Sequence, residues 1–469
     1  MNSTNDHLAS TVSCAAIVSN DCCDTNLQVS QSNPTLVRAI GRWSLAALMV
    51  NSIIGSGVFG LPSSIAGLVG SASPWAVLFA GLAVGVIMAC YAEVASQFSD
   101  AGGPYLYARA AFGRFLGIET GWLLWLARLT APAANANLFV VYLGEFWPHA
   151  KDPVPRFAIL TVLIGVLVVV NLVGVRAGTR VSNVFTIGKL VPLFAVAIGG
   201  VLFLATGHGI TPVTAPVAST GTWLKAILLL VFAYGGFESA LTPAAEVKNP
   251  RKDSAFALLS ALALCTALYT SIQWTVVRVL PDPAHASRPL ADVARSIFGP
   301  VGAGVVAIGA LISIYGYLSA NLLAVPRITF ALAEGGDFPR FFAAIHSRFR
   351  TPYISIFIFG LLTWGLALVA NFEWNVTLSA VARLFYYGLV CAALPVLRKK
   401  QPGAAEFRLP GGIVFSVLGV LVCLVLGTRV DHVGSYILGA VVFVGFLNWL
   451  VVRKNSSPGG ASPASTRTV

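Results

Sequence analysis

Apolar residues run in blocks of about 20 along nearly the whole chain, separated by short polar stretches. A helix of roughly 20 apolar residues crosses about 30 Å of hydrocarbon, so each block predicts a membrane-spanning helix. The blocks stand at about 42–68, 74–98, 115–147, 156–173, 183–206, 221–245, 253–279, 300–333, 353–371, 375–397, 412–429 and 433–452. Two are interrupted by glycine. Asn51-Ser-Ile-Ile-Gly-Ser-Gly-Val-Phe-Gly60 breaks the first, and Phe232-Ala-Tyr-Gly-Gly-Phe-Glu238 breaks the sixth. Hydrocarbon has no water to satisfy loose backbone groups, so unwound chain at membrane depth persists only around a protected cavity. Paired breaks in corresponding segments of two halves point to a carrier with its substrate site between them.

Polar stretches frame these blocks. The first 37 residues are Ser-, Asn- and Thr-rich without periodicity, and residues 455–469 are Ser/Pro/Gly-rich; both read as disordered cytoplasmic tails flanking one transporter domain over 38–454. Within it, five segments over about 42–206 and five over about 221–397 each open on a broken helix. An odd number per unit makes the second copy enter from the opposite face. The pattern therefore predicts a five-plus-five inverted repeat, with the segments over 412–452 as additions.

Composition sharpens this all-α integral membrane reading. The chain is 57% hydrophobic and 10% charged, with a mean hydropathy of +0.80, which excludes a soluble enzyme. A net charge of +12 invites a nucleic-acid partner, but the basic residues sort by topology. About 19 lysines and arginines fall on one side of the alternating connections and roughly six on the other, a bias that puts both termini inside. Hence nucleic acid is not an expected partner, and a multi-pass protein of the cell (plasma or inner) membrane is. The seven cysteines have no metal or disulfide spacing, and no metal site or cofactor is expected. Cys14, Cys22 and Cys23 lie in the first tail, and the six histidines fall in loops or tails. No His-Glu-x-x-His set and no Walker A sequence occurs, against an intramembrane enzyme or ATP coupling.

Where the first helix unwinds, the amides near Gly55, Ser56 and Gly57 lose their partners, and the next half-helix adds the positive end of its dipole. That is an anion site without a charged side chain, suited to a carboxylate. The alternative is that the glycines only permit close helix packing. Gly235 and Gly236 predict a roomy break in the sixth helix. Ionisable residues at depth are functional candidates by default. Lys189 sits mid-run on the fifth segment, as a fixed cation, a switch, or an ammonium reaching the interface. Glu238 follows the sixth break directly and suits a proton-carrying or a structural role. Arg128, on the third segment, has no sequence partner; Glu238, Glu119 or a substrate side chain are its options. Glu93 and Glu246 suit gating pairs with loop arginines or ordinary interfacial positions.

The motifs resemble a known group. Gly55-Ser-Gly-Val-Phe59, Tyr91-Ala-Glu-Val-Ala95 with Ala101-Gly-Gly-Pro-Tyr-Leu-Tyr107, and Phe232–Glu238 with Glu246-Val-Lys-Asn-Pro-Arg-Lys-Asp253 occur in the order found in the amino acid–polyamine–organocation superfamily. Arg327-Ile-Thr-Phe-Ala-Leu-Ala333 and Thr351-Pro352 extend the resemblance over about 38–403. It implies an amino acid permease of twelve helices. The first break would bind an α-carboxylate, with Ser56 Oγ as an extra donor. The ammonium would meet the carbonyls of Ile53, Phe232 and Gly235, with the Phe232 ring as a gate. A lysine at the position of Lys189 implies sodium-independent transport, by proton symport or exchange. One departure is Pro132, where some basic-amine exchangers carry an asparagine; Asn135 and Asn137 lie one turn on. The expected function is secondary transport of an amino acid by alternating access, with a proton as candidate co-substrate and membrane lipid as surroundings. A polyamine or organocation carrier and a nontransporting sensor stay open as alternatives, as do the amino acid carried and the oligomeric state.

Overall fold

The computed structural model describes residues 41–98, 102–174, 179–209, 218–241 and 247–454. Both expected tails, the cysteines of the first, and Glu246 lie outside them.

Every described element is helical, and the helices follow the apolar blocks closely. The first block is split into α1 (Arg42–Ile53) and α2 (Gly57–Val69), followed by α3 (Ser73–Ala95). A short helix, α4 (Pro104–Phe112), precedes α5 (Arg114–Leu143), α6 (Pro153–Val173) and α7 (Thr179–Ala205). The sixth block is split into α8 (Thr220–Tyr234) and α9 (Phe237–Ala240). Then come α10 (Pro250–Val279), α11 (Pro289–Glu334), α12 (Tyr353–Val369), α13 (Phe372–Lys400), α14 (Gly412–Gly427) and α15 (His432–Lys454). Proline opens α4, α6, α10 and α11, where a missing N–H costs nothing. Helix α11 turns sharply at Gly299, whose φ of 73° only glycine adopts readily, so the apolar block begins at the expected residue 300 after an amphipathic lead-in.

Among the described residues, eight helices are long and apolar enough to cross a membrane. Their packing is inside-out relative to a soluble protein. Helices α1, α2, α3, α5, α8, α10, α11 and α13 supply most of the buried core, with α13 against α5 and α10 against α1 and α3. Outer helices expose their apolar faces: Ile413, Val417, Leu421 and Leu424 form one exposed stripe on α14, and Val162, Val166 and Val169 another on α6. Such stripes are stable against lipid chains, which are as apolar as the side chains themselves.

Charges anchor the helix ends. Glu93, fully buried at the end of α3, accepts two hydrogen bonds of 2.6 Å from Arg398 at the end of α13 and one of 2.8 Å from the Leu409 amide. Its partner is thus an arginine just past the apolar block 375–397, a loop position by the sequence pattern that the fold places on the last turn of α13. Asp337, beyond α11, accepts from Arg114 Nε at 2.7 Å and from Arg109 and Tyr105 on α4, while its carbonyl accepts from Asn448 on α15. Burial, followed by the bond to Asp337, raises the Tyr105 phenol to about 12, so it stays a proton donor.

Candidate substrate site

The break between α1 and α2 raises an accounting question, because the last four carbonyls of a helix have no partner within it. Here two of them are met from other helices and one from the chain just beyond. Val50 carbonyl accepts from the Ile54 amide at 2.9 Å. Lys189 Nζ, reaching in from α7, donates to the Asn51 carbonyl at 2.6 Å and the Ile54 carbonyl at 2.7 Å. Tyr269, on α10, donates to the Ile53 carbonyl at 3.2 Å and to the Ala233 carbonyl on α8 at 3.3 Å, so one hydroxyl spans both broken helices. A buried ammonium at the negative end of the α1 dipole is favourable electrostatics as well as hydrogen bonding. Lys189 is directed at the break rather than toward an interface, and only 8% exposed.

On the far side of the break, α2 begins with Gly57 and Val58 amides that have no turn before them. Ser56 occupies the cap position with a helical backbone and makes no side-chain cap bond. Its Oγ is buried without a hydrogen-bond partner. Gly57 has a second constraint: a Cβ there would lie 2.8 Å from Ala233 Cα. The backbones of α2 and α8 touch at that point.

The second break is tight, not roomy as the paired glycines suggest. Gly236 has a φ of 109°, and a Cβ on it would collide with the Ser52 carbonyl of α1. A Cβ on Gly235 would collide with the guanidinium of Arg383 from α13. These glycines allow close approach of another backbone and of a charged side chain. Glu238, 1% exposed, holds the turn together: its carboxylate accepts from the Gly236 amide (2.9 Å), Arg383 Nη1 (2.9 Å), Tyr386 OH (3.0 Å) and Tyr387 OH (3.1 Å).

The two breaks face one narrow cavity. Ile53, Gly55, Ser56 and Gly57 line it from the first break, and Phe232 and Gly235 from the second. All six residues expected to bind substrate therefore come together. The Ile53 carbonyl is already shared with Tyr269, and that of Phe232 with the Gly235 amide at 3.2 Å, which leaves each one lone pair for a ligand. The wall is completed by Asn135 of α5, Tyr317 of α11 and Arg383, which sequence reasoning did not assign to the site. Of the expected charged residues, Glu238 borders the cavity through Arg383 and Lys189 braces its edge. Arg128, 8% exposed on α5, is not in the wall and forms no ion pair within 4 Å with Glu238 or Glu119. Glu238 is taken by Arg383 instead, and the carboxylate of Glu119 lies against Gly445 with no hydrogen-bond partner. Arg383 had a signal, an arginine inside an apolar block. Asn135, Tyr269 and Tyr317 had none, since one polar group on a long helix does not say which way it points.

Residues 40–446 match the model of a family described as amino acid permease. Three relatives from Bacillus subtilis (strain 168) align over most of the chain. A methylthioribose transporter is 28% identical, covering 91% of this chain and 94% of the relative. The branched-chain amino acid permease BcaP is 28% identical over 91% and 93%. The serine/threonine exchanger SteT is 29% identical over 78% and 85%.

Proposed function

Because this chain belongs to the amino acid permease family, whose members are multi-pass membrane transporters and not enzymes, we propose that it carries amino acids across the membrane by alternating access around the cavity between its two helix breaks. The observation that carries this reading is the buried, unpartnered Ser56 hydroxyl beside the open first-turn amides of α2. A substrate α-carboxylate satisfies both, at the positive end of a helix dipole and shielded from water. Its ammonium then takes the remaining lone pairs of the Ile53 and Phe232 carbonyls, and the Phe232 ring closes the site. A diamine has no group for the α2 amides, and this disfavours a polyamine carrier. Transport is sodium-independent, by proton symport or exchange, with Lys189 occupying the carbonyls that a sodium ion would need. In this reading 42–206 and 221–397 are inverted repeats, and the protein resides in the cell membrane with both termini inside.

Thermal shifts of the purified chain against amino acids, their methyl esters and diamines test the carboxylate site. Free amino acids are expected to stabilise the protein and the esters to lose at least about tenfold in affinity, as the charged hydrogen bonds disappear. Equal stabilisation by esters, or stabilisation by diamines alone, overturns it. Topology is testable separately. In a cysteine-free background, His208→Cys is expected to label from outside and Gln401→Cys only after permeabilisation; the reverse pattern inverts the assignment.

A further inference from the structure

Among the described residues, the charges around the cavity do not balance. Arg383 is 4% exposed, Arg128 8% and Lys189 8%, and among the described residues the one carboxylate with them is Glu238. The other buried acids among the described residues are elsewhere: Glu93 is held by Arg398, Asp337 by Arg109 and Arg114, and Glu119 rests on Gly445 of α15. Glu238 is also saturated. Its two oxygens accept four donors, about all that a carboxylate can take, so it has nothing to offer an incoming cation.

Arg383 is in the opposite condition. A guanidinium has five N–H donors, and Glu238 and Ser379 (3.5 Å from Nε) engage two. Its side chain is part of the cavity wall and lies over the ring of Phe232, with 5.9 Å from Cζ to the centroid. The Ser379 hydroxyl donates to the Ala127 carbonyl at 3.0 Å, which pins α13 to α5 next to Arg128. Arg128 lies seven residues before Asn135 on α5, on the same helix face, and Asn135 Oδ1, like Ser56 Oγ, is buried without a partner. Excess buried positive charge is unfavourable unless an anion answers it. A zwitterion brings none in net.

We infer that the carried amino acid has an anionic side chain, and that Arg383, clamped by Glu238, is the residue that selects it. The inference rests on the amino acid transport proposed above. The α-carboxylate lies on the α2 amides and Ser56, the ammonium on the break carbonyls, and the second carboxylate takes the free edge of Arg383 within the field of Arg128. Arg383 acts by contact with substrate, and Glu238 by orienting it.

Glutamate and glutamine are nearly isosteric and differ in charge, so their ratio isolates the claim. Uptake of labelled glutamate, aspartate, glutamine, leucine and lysine is measured in proteoliposomes of the full chain. Glutamate or aspartate is expected to exceed glutamine by at least about tenfold in kcat/KM, as a charge-assisted bidentate contact provides, with lysine excluded. The double variant Glu238→Gln/Arg383→Gln, which removes the pair without leaving a lone buried charge, is expected to bring the glutamate-to-glutamine ratio near one. Glutamine or leucine preferred by the native protein overturns the inference and leaves amino acid transport standing. A preference that survives in the double variant overturns the role of Arg383. No uptake or binding of any amino acid overturns both this inference and the function it rests on. Should the double variant fail to fold, the native ratio still decides the substrate class.

Discussion

Gly57→Val is expected to reduce uptake to background in protein that still reaches the membrane. The cause is the contact with Ala233: a Cβ at position 57 would lie 2.8 Å from its Cα and 2.9 Å from its Cβ, and the first of these is backbone that cannot swing away. Overpacking of this kind costs about 1–3 kcal/mol where the neighbours can shift. Here the shift would separate α2 from α8 and displace the amides proposed to meet the substrate. A displacement worth 1.4–3 kcal/mol at the binding step lowers affinity by about 10- to 100-fold or more. Gly57→Ala meets the same obstacle and is expected to fail in the same direction, less completely. Binding of substrate by membrane-inserted Gly57→Val with near-native affinity would show that this approach of two backbones does not shape the site.

Lys189→Ala is expected to have an effect of similar size by a different route. It removes two charge-assisted hydrogen bonds, at 2.6 and 2.7 Å, from the Asn51 and Ile54 carbonyls. Each is worth about 1.5–3 kcal/mol, and the carbonyls left behind are buried without a donor. The end of α1 then has no fixed position, and uptake should fall by about 100-fold. Arginine should not rescue it, because a planar fork does not fit a space shaped for a compact ammonium. The same geometry bears on coupling. With the ammonium seated on these carbonyls, a sodium ion there would face like charge in a low-dielectric setting. Native uptake should therefore be equal in choline and sodium buffers. A steep sodium requirement would overturn the assignment, and normal uptake by Lys189→Ala would reduce the lysine to a packing role.

How much of this was legible beforehand depends on the distance over which each feature is encoded. Helix positions are local, and blocks such as 353–371 and 412–429 lie within two residues of α12 and α14. The breaks are local too: Gly55-Ser-Gly57 and Gly235-Gly236 mark unwound chain by their composition. The role of the glycines was only half legible, since a roomy break and a tight one use the same residue. What decides is whether another chain comes close, and Ser52 and Arg383 do so from elsewhere in the sequence. Pairing was the least legible. Arg128 and Arg383 are both arginines in apolar blocks, and only the packing of α13 against α5 and α9 gives Glu238 to the second. Tyr269 and Asn135 have the same composition signal as any polar residue in a buried helix.

The contacts across the breaks pair the four half-helices in a definite way. Gly57 brings α2 against α8, and Gly236 brings α9 against the end of α1. Each helix is thus severed at the cavity, while its halves are joined to the opposite halves of the other, α1 to α9 and α2 to α8. The chain is continuous along each helix, and the packing runs across from one to the other, as in a weave. Pulling on one thread of a weave moves the thread beneath it. A bend at residues 54–56 cannot proceed alone, because it would drive Gly57 into Ala233 or lift Ser52 from Gly236. The two hinges therefore have to turn together, and Tyr269, bonded to both threads, sits at the crossing point.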